Sequence, residues 1–199
     1  MANNSRFPRR ITCRQGLAIE VKPLLVEDIA VLRELHRALS ESERALLRED
    51  VLDPHYESEI KRQITDEHVY RLVAWHKGKI IASVAMHRNR RRWMRHTTGM
   101  RVIVHPDYRR HGVALVLMEE CIPYAQEYGI EKLYMHIMPA QQGAINLAKQ
   151  FGFHREATLR DHVKDKYGSY HDIRVYAIDI QAAARKMEDL LSSFHDYCG

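Results

Sequence analysis

No stretch of the 199-residue chain approaches the roughly 18–20 consecutive apolar residues of a membrane-spanning helix, and its first residues lack the apolar core of a secretory signal. Both absences lead to the expectation of a cytoplasmic protein with no membrane partner. Cysteine is scarce. Cys13, Cys121 and Cys198 are widely spaced and odd in number, which argues against a disulfide framework. Neither His-Glu-x-x-His nor Cys-x-x-Cys occurs despite 13 histidines, so no metal is expected. Nor does Gly-x-x-x-x-Gly-Lys-Ser/Thr occur, which argues against a nucleotide triphosphatase.

What remains is ordinary globular material. Hydrophobic residues make up 45% and charged residues 29%, enough for one domain with a sizeable core. The net charge of +5 favours an anionic ligand without identifying one. Residues 1–16 carry Arg6, Arg9, Arg10 and Arg14 with no acid, and read as a mobile, solvated basic arm.

The most informative stretch is Val102 to Leu117. It opens as an apolar run rich in β-branched residues, the pattern of a buried strand. Pro106 and Asp107 break that strand, and a helical pattern follows, with Ala114, Leu117, Met118, Cys121, Ile122 and Ala125 at steps of three and four. Between the two lies Arg109-x-x-Gly112-x-Ala114. A helix N-terminus offers unpaired N–H groups and a partial positive charge, and small residues there let a bulky anion approach. Such a junction suits a phosphate or pyrophosphate, although an ordinary strand-to-helix connection with basic surface residues has the same composition.

Elsewhere the chain reads as alternating elements. Leu17, Ile19 and Val21 alternate as a strand ending at Pro23, and Ile29, Leu32, Leu35 and Leu39 mark one helical face over 26–39. Ser40 to Glu43 starts a further helical piece toward Val51, and 56–65 resumes it. Val69–Trp75 and Ile80–Met86 form a hairpin about Gly78. Residues 87–96 crowd five arginines and three other polar residues around Trp93 and Met94. A solvated loop explains them better than a nucleic-acid contact, because no second basic segment of that length accompanies them. Pro123 interrupts the helix after Gly112, and Gly129 caps it. Leu133–Met138 reads as a strand, Ala144, Leu147, Ala148 and Phe151 as a buried helical stripe, and Phe153–Val163 with Tyr170–Ile180 as a second hairpin. Gln181 to Phe194 is a final amphipathic helix that packs on its own domain or on a second copy, a homodimer being left open.

Val104, Pro106, Tyr108, Arg109, Gly112 and Ala114, in that register, resemble motif A of the GNAT-type N-acetyltransferase superfamily. Residues 143–153 resemble the family's downstream helix ending in Gly-Phe. The likeness covers about residues 17–180, with 181–199 as a C-terminal helix and tail. A narrower likeness, Glu27-Asp28 and Leu39-Ser40-Glu41-Ser42, is to the bacterial protein-lysine acetyltransferases. The resemblance implies an α/β fold with a mixed, mostly antiparallel twisted sheet and helices on both faces. It implies acetyl-CoA as co-substrate, with the pyrophosphate on Arg109, Arg110, His111, Gly112, Val113, Ala114 and Leu115, and the pantetheine arm along Val102, Ile103 and Val104. Gln141 stands where the family's pantetheine-contacting asparagine stands.

The catalytic pair departs from the family. No acid occurs between His96 and Val104, and Ala148 fills the position of a common tyrosine acid. The candidates to replace them are His96, His105, His136 and Tyr170, a histidine being suited to general-base work near neutral pH; His136 is the first choice because the resemblance sets it on the strand lining the cleft, and Tyr170 is named beside it. The expected activity is acetyl transfer to a primary amine of a protein lysine, an N-terminus or a small molecule. The alternative is a non-catalytic module of the same fold that senses acyl-CoA or binds RNA.

Overall fold

The computed structural model describes residues 6–45, 47, 50–165 and 167–185. Eight strands follow the order β1-β2-β3-β4-β5-β6-β8-β7, all antiparallel neighbours where the register is defined except the parallel pair β5·β6. The fold is thus mixed α/β with a mostly antiparallel open sheet and helices. Contacts divide the chain into two compact units, one of residues Met1–His87 and Arg101–Met118, the other of Arg88–Met100 and Glu119–Gly199.

In the first unit, β1 (Arg9–Thr12), β2 (Ala18–Pro23), β3 (Val69–His76) and β4 (Lys79–Arg88) run as successive antiparallel neighbours. Alternation placed β2 correctly, burying Ile19 and Val21. The basic arm is a correction. Arg9 to Thr12 pairs with Val21 to Ala18 as an edge strand instead of lying free. Its only apolar residue is Ile11, so it carries no alternation to detect; main-chain bonds to an otherwise open edge hold it. The β3–β4 turn has positive φ at both Lys77 and Gly78, as a two-residue hairpin of right-handed twist requires.

Helices α1 (Ile29–Arg37) and α3 (Tyr56–Thr65) cover this sheet, with the short α2 (Glu41–Arg44) between them. Ser40 caps α2, accepting from the Glu43 N–H while Glu43 accepts from the Ser40 N–H. The helical piece expected to continue toward Val51 ends at Arg44 in the assigned helix; residues 46, 48 and 49 lie outside the described set. Leu32, Leu35, Tyr56, Ile60 and Val73 form the centre of the core, and Ile103 packs on its margin. Within it the Tyr56 hydroxyl and His36 Nδ1 share a 2.8 Å hydrogen bond. Tyr56→Phe is expected to lower stability by about 1–3 kcal/mol, read from urea unfolding with an unchanged slope, because ring packing is kept while the fully buried His36 loses the Tyr56 hydroxyl.

In the second unit, β6 (Lys132–Ile137), β8 (Tyr170–Asp179) and β7 (His154–Lys164) are antiparallel neighbours. The opening of β5 (Thr97–Val104) joins β6 through only three parallel pairs, Thr97↔Lys132 to Gly99↔Tyr134. A Cβ on Gly99 would stand 3.2 Å from the Tyr134 ring, so the glycine lets that ring lie close on β5. The basic loop is a 3-10 turn, Arg92–Met94, pinned by Asn89 Nδ2 and the Met94 carbonyl on Thr97 Oγ1. Trp93 projects into solvent at 73% exposure. In α5 (Gln142–Phe151) the buried stripe is Ile145, Ala148 and Phe151, shifted from the expected Ala144 and Leu147, which are half-buried. The expected final helix over 181–194 falls largely outside the described residues; 180–185 are helical.

Candidate active site

The motif residues form one turn in the first unit. His105 ends β5 with its N–H on the Ile81 carbonyl at 2.8 Å, and its ring caps the 3-10 turn Pro106–Tyr108 by accepting from the Asp107 N–H. Arg110 and Gly112 both have positive φ, 66° and 80°, and α4 (Val113–Glu127) begins at the next residue. The first intrahelical bond from this end is donated by Val116 to the Gly112 carbonyl at 3.2 Å. The N–H groups of Val113, Ala114 and Leu115 therefore have no helical acceptor, and none is found among the described residues. Val113 is buried; Ala114 and Leu115 are half-buried, so the opening of α4 is accessible on one side. Converging N–H groups, a helix dipole and a glycine at positive φ make an anion cradle.

Arg109 was expected on the pyrophosphate, but its side chain is already engaged. Nη2 donates to Glu43 Oε1 at 2.7 Å and Nε to the Val104 carbonyl at 3.4 Å. Burial works to raise the Glu43 carboxyl, but hydrogen bonds from Ser40, then the bond and charge of Arg109, outweigh it and hold the carboxyl below its usual 4.5. The pair is therefore complete above that ordinary value and is lost as pH falls through the lower folded one. Arg109 ties α2 to the turn across 66 residues of sequence. Glu43→Gln and Arg109→Ala are expected to weaken CoA binding by similar factors, with no further loss in the double variant; additive losses measured by calorimetry would show that the two act separately. Both side chains are over a third exposed, so little change in overall stability is expected.

The His111 ring nitrogen Nδ1 lies 2.9 Å from the Arg109 carbonyl, closing the turn on itself. Val102, Ile103 and Val104 are half-buried along β5.

The remaining predicted site residues belong to the second unit. Along β6, Leu133, Met135 and Ile137 are buried, while His136 is exposed on the opposite face, its ring 5.2 Å from that of Tyr134. Gln141 precedes α5, and its Oε1 accepts from the Met138 N–H at 2.9 Å. Tyr170 opens β8 at 63% exposure, paired with Lys164, whose Nζ lies 5.1 Å from its ring centre. His136 registers with Val175, five residues further along the same strand. At about 3.3 Å per residue the register separates Tyr170 from His136 by roughly 17 Å, so the two are not brought together. Among the described residues no group of three or more His, Cys, Asp or Glu could hold a metal, and no helix is long and apolar enough to cross a membrane.

The model of the Acetyltransferase (GNAT) family matches residues 31–153, more than half of the chain and all of this turn. The chain belongs to the GNAT acetyltransferase family. It is an acyltransferase, and the family's co-substrate is acetyl-CoA. The solved structures agree on the fold. The GNAT domain of S. lividans PAT is 18% identical, with a TM-score of 0.70 over 86% of this chain and 96% of that one. The spermidine N-acetyltransferase SpeG K23-Q34 chimera from Vibrio cholerae and hSSAT is 19% identical, at 0.69 over 83% and 98%. The ribosomal-protein-S18-alanine N-acetyltransferase from Escherichia coli is 18% identical, at 0.62 over 81% and 94%. A comparison with curated protein sequences returns no match.

The cradle fits the nucleotide end of such a co-substrate. Gly112 takes a φ of 80° just before α4, and the three adjacent N–H groups have no acceptor among the described residues. The Glu43–Arg109 pair was invisible to pattern reading, because its partners lie in separate elements; the capping box at Ser40–Glu43 was the only local signal that Glu43 is held in place.

Proposed function

We propose that this GNAT-family chain moves the acetyl group of acetyl-CoA to a primary amine by direct attack, without a covalent enzyme intermediate. The observation that carries the proposal is the set of unpaired N–H groups of Val113, Ala114 and Leu115 beside Gly112. Acetyl-CoA supplies the acetyl group as an activated thioester. The backbone from Arg110 to Leu115 holds its pyrophosphate, with Arg109 positioning that turn through Glu43. Val102, Ile103 and Val104 run beside the pantetheine arm; Gln141, whose Oε1 accepts from the Met138 N–H, is proposed as a contact of that arm from the likeness to the family's asparagine.

His136 acts as the general base. It takes the amine proton, directly or through one water, as the N–C bond forms and the C–S bond breaks. The bonding electrons leave with sulfur, and a thiol of pKa near 8.5 departs without obligatory help from an acid. Tyr170 is therefore given no part in the chemistry, consistent with its distance along β8. The acceptor class is argued from the relatives. Two of them are named for a ribosomal-protein alanine and for spermidine, which share an amine and little else.

Calorimetric titration with acetyl-CoA, CoA and ATP tests the cradle, and thiol release with an amine panel tests the reaction. Binding of both CoA species with ATP far weaker, followed by amine-dependent CoA release, is the expected result. A folded sample that binds no acetyl-CoA overturns the proposal; binding without release for any amine favours the non-catalytic, acyl-CoA-sensing module.

A further inference from the structure

The hairpin at the start of the chain lies outside the residues matched by the family, and it reaches the cradle. Arg14 to Gly16 connect β1 to β2 through a tight turn, with φ of 59° at Gln15 and 72° at Gly16. The Arg14 main-chain N–H donates to the His111 carbonyl at 3.1 Å, fastening this turn to the loop that leads into α4. The Arg14 side chain then runs against Gly112. A Cβ on that glycine would stand 3.6 Å from Arg14 Cγ, 3.8 Å from Cδ and 4.0 Å from Nε. The guanidinium is thereby carried to the residue that precedes the unpaired N–H groups of Val113, Ala114 and Leu115. Arg14 is exposed, and among the described residues no carboxylate pairs with it. The contrast with its neighbours is informative: Arg109 is committed to Glu43, and Arg10 lies 3.8 Å from Glu20.

The geometry points to Arg14 as a phosphate-binding residue of the CoA site, its guanidinium gripping a phosphate of the nucleotide held at the start of α4. This inference rests on the acetyl-CoA reading given above. The chemistry is that of a planar fork of N–H donors, which binds phosphate oxygens in pairs and keeps its charge at any working pH. Arg14 and the backbone N–H groups would then hold the nucleotide end from different elements, the β1–β2 hairpin and the turn before α4. CoA offers two anionic groups there, the pyrophosphate and the 3′-phosphate, and they are separable by ligand.

The test is calorimetric binding of CoA and 3′-dephospho-CoA to the full-length protein and to Arg14→Ala, Arg14→Lys and Arg10→Ala. Arg14→Ala is expected to weaken CoA binding by about ten- to a hundredfold, the usual cost of losing hydrogen bonds to a charged group. The loss should come without a change in melting temperature, because the main-chain bond to His111 is retained. Arg14→Lys keeps the stem and the charge but not the fork, so an intermediate loss is expected, and it keeps the test decisive if the alanine variant folds poorly. Arg10→Ala should bind as the parent protein does. A loss that persists with 3′-dephospho-CoA places Arg14 on the pyrophosphate; a loss that vanishes places it on the 3′-phosphate. Parent protein that binds CoA while the Arg14 variants bind it equally well overturns this inference alone. An equal loss in Arg10→Ala also overturns it, by reducing the effect to net charge. Parent protein that binds no CoA overturns the acetyl-CoA reading and this inference with it.

Discussion

Gly112→Val is expected to reduce CoA affinity by about a hundredfold or more while the protein still folds. Two costs combine. At φ of 80° the backbone is in the left-handed region, which a β-branched residue enters only with strain. Relieving that strain rotates the peptide that starts α4, turning away the N–H groups proposed to receive the phosphate. The second cost is steric. A single Cβ would meet Arg14 at ordinary contact distance, but the two methyl groups beyond it must push that side chain aside. Losing two charge-assisted hydrogen bonds accounts for a hundredfold on its own. Gly112→Ala isolates the first cost, because its Cβ has room, and should fall between the parent and the valine variant. Calorimetry on both, with melting temperature as the fold control, reads the series. Unchanged affinity in Gly112→Val would mean that the phosphate does not approach this glycine.

His136→Ala is expected to lower kcat by about a hundred- to ten-thousandfold, the range for removal of a positioned general base, while CoA affinity changes little. The split follows from placement. His136 is exposed on the face of β6 opposite Leu133, Met135 and Ile137, so truncation opens no cavity, and it belongs to a different unit from the phosphate turn. A residue that only supported the fold would shift melting temperature and affinity together. Added imidazole should restore part of the rate to the alanine variant, since the truncated side chain leaves room for it. An unchanged kcat would dismiss His136 as the base and direct attention to His96 and His105.

Much of the fold was legible because burial imposes a period. Ile29, Leu32 and Leu35 share one face of α1 and are buried; Leu39, read as the fourth, is buried too but lies just past the helix end at Arg37. Ile19 and Val21 alternate because β2 has one face in the core. The strand β1 was illegible for the converse reason: Arg9, Arg10 and Thr12 are exposed, so main-chain pairing holds the segment and side chains leave no trace of it. The stripe on α5 was read one residue off, toward Ala144 and Leu147 in place of Ile145. Both sets recur at helical spacing, and only the neighbouring elements decide which is covered.

The candidate site divides along the same line. The phosphate turn is a local device. A strand end, a proline, a glycine and a helix start are all written within residues 102–117, so the turn itself was legible; its composition also suits an ordinary strand-to-helix connection, and the likeness to motif A is what favoured a phosphate there. The partners that complete the turn are not local. Glu43 reaches Arg109 from a capping box 66 residues away, and Arg14 reaches Gly112 from a hairpin outside the family match. The register that parts Tyr170 from His136 is equally a property of the folded β6–β8 ladder. Side chains from distant elements meet only after hydrophobic burial and strand pairing have set those elements in place. The sequence by itself determined where the strand-turn-helix junction proposed to hold an anion lies; the tertiary structure alone decided which charged groups stand around it.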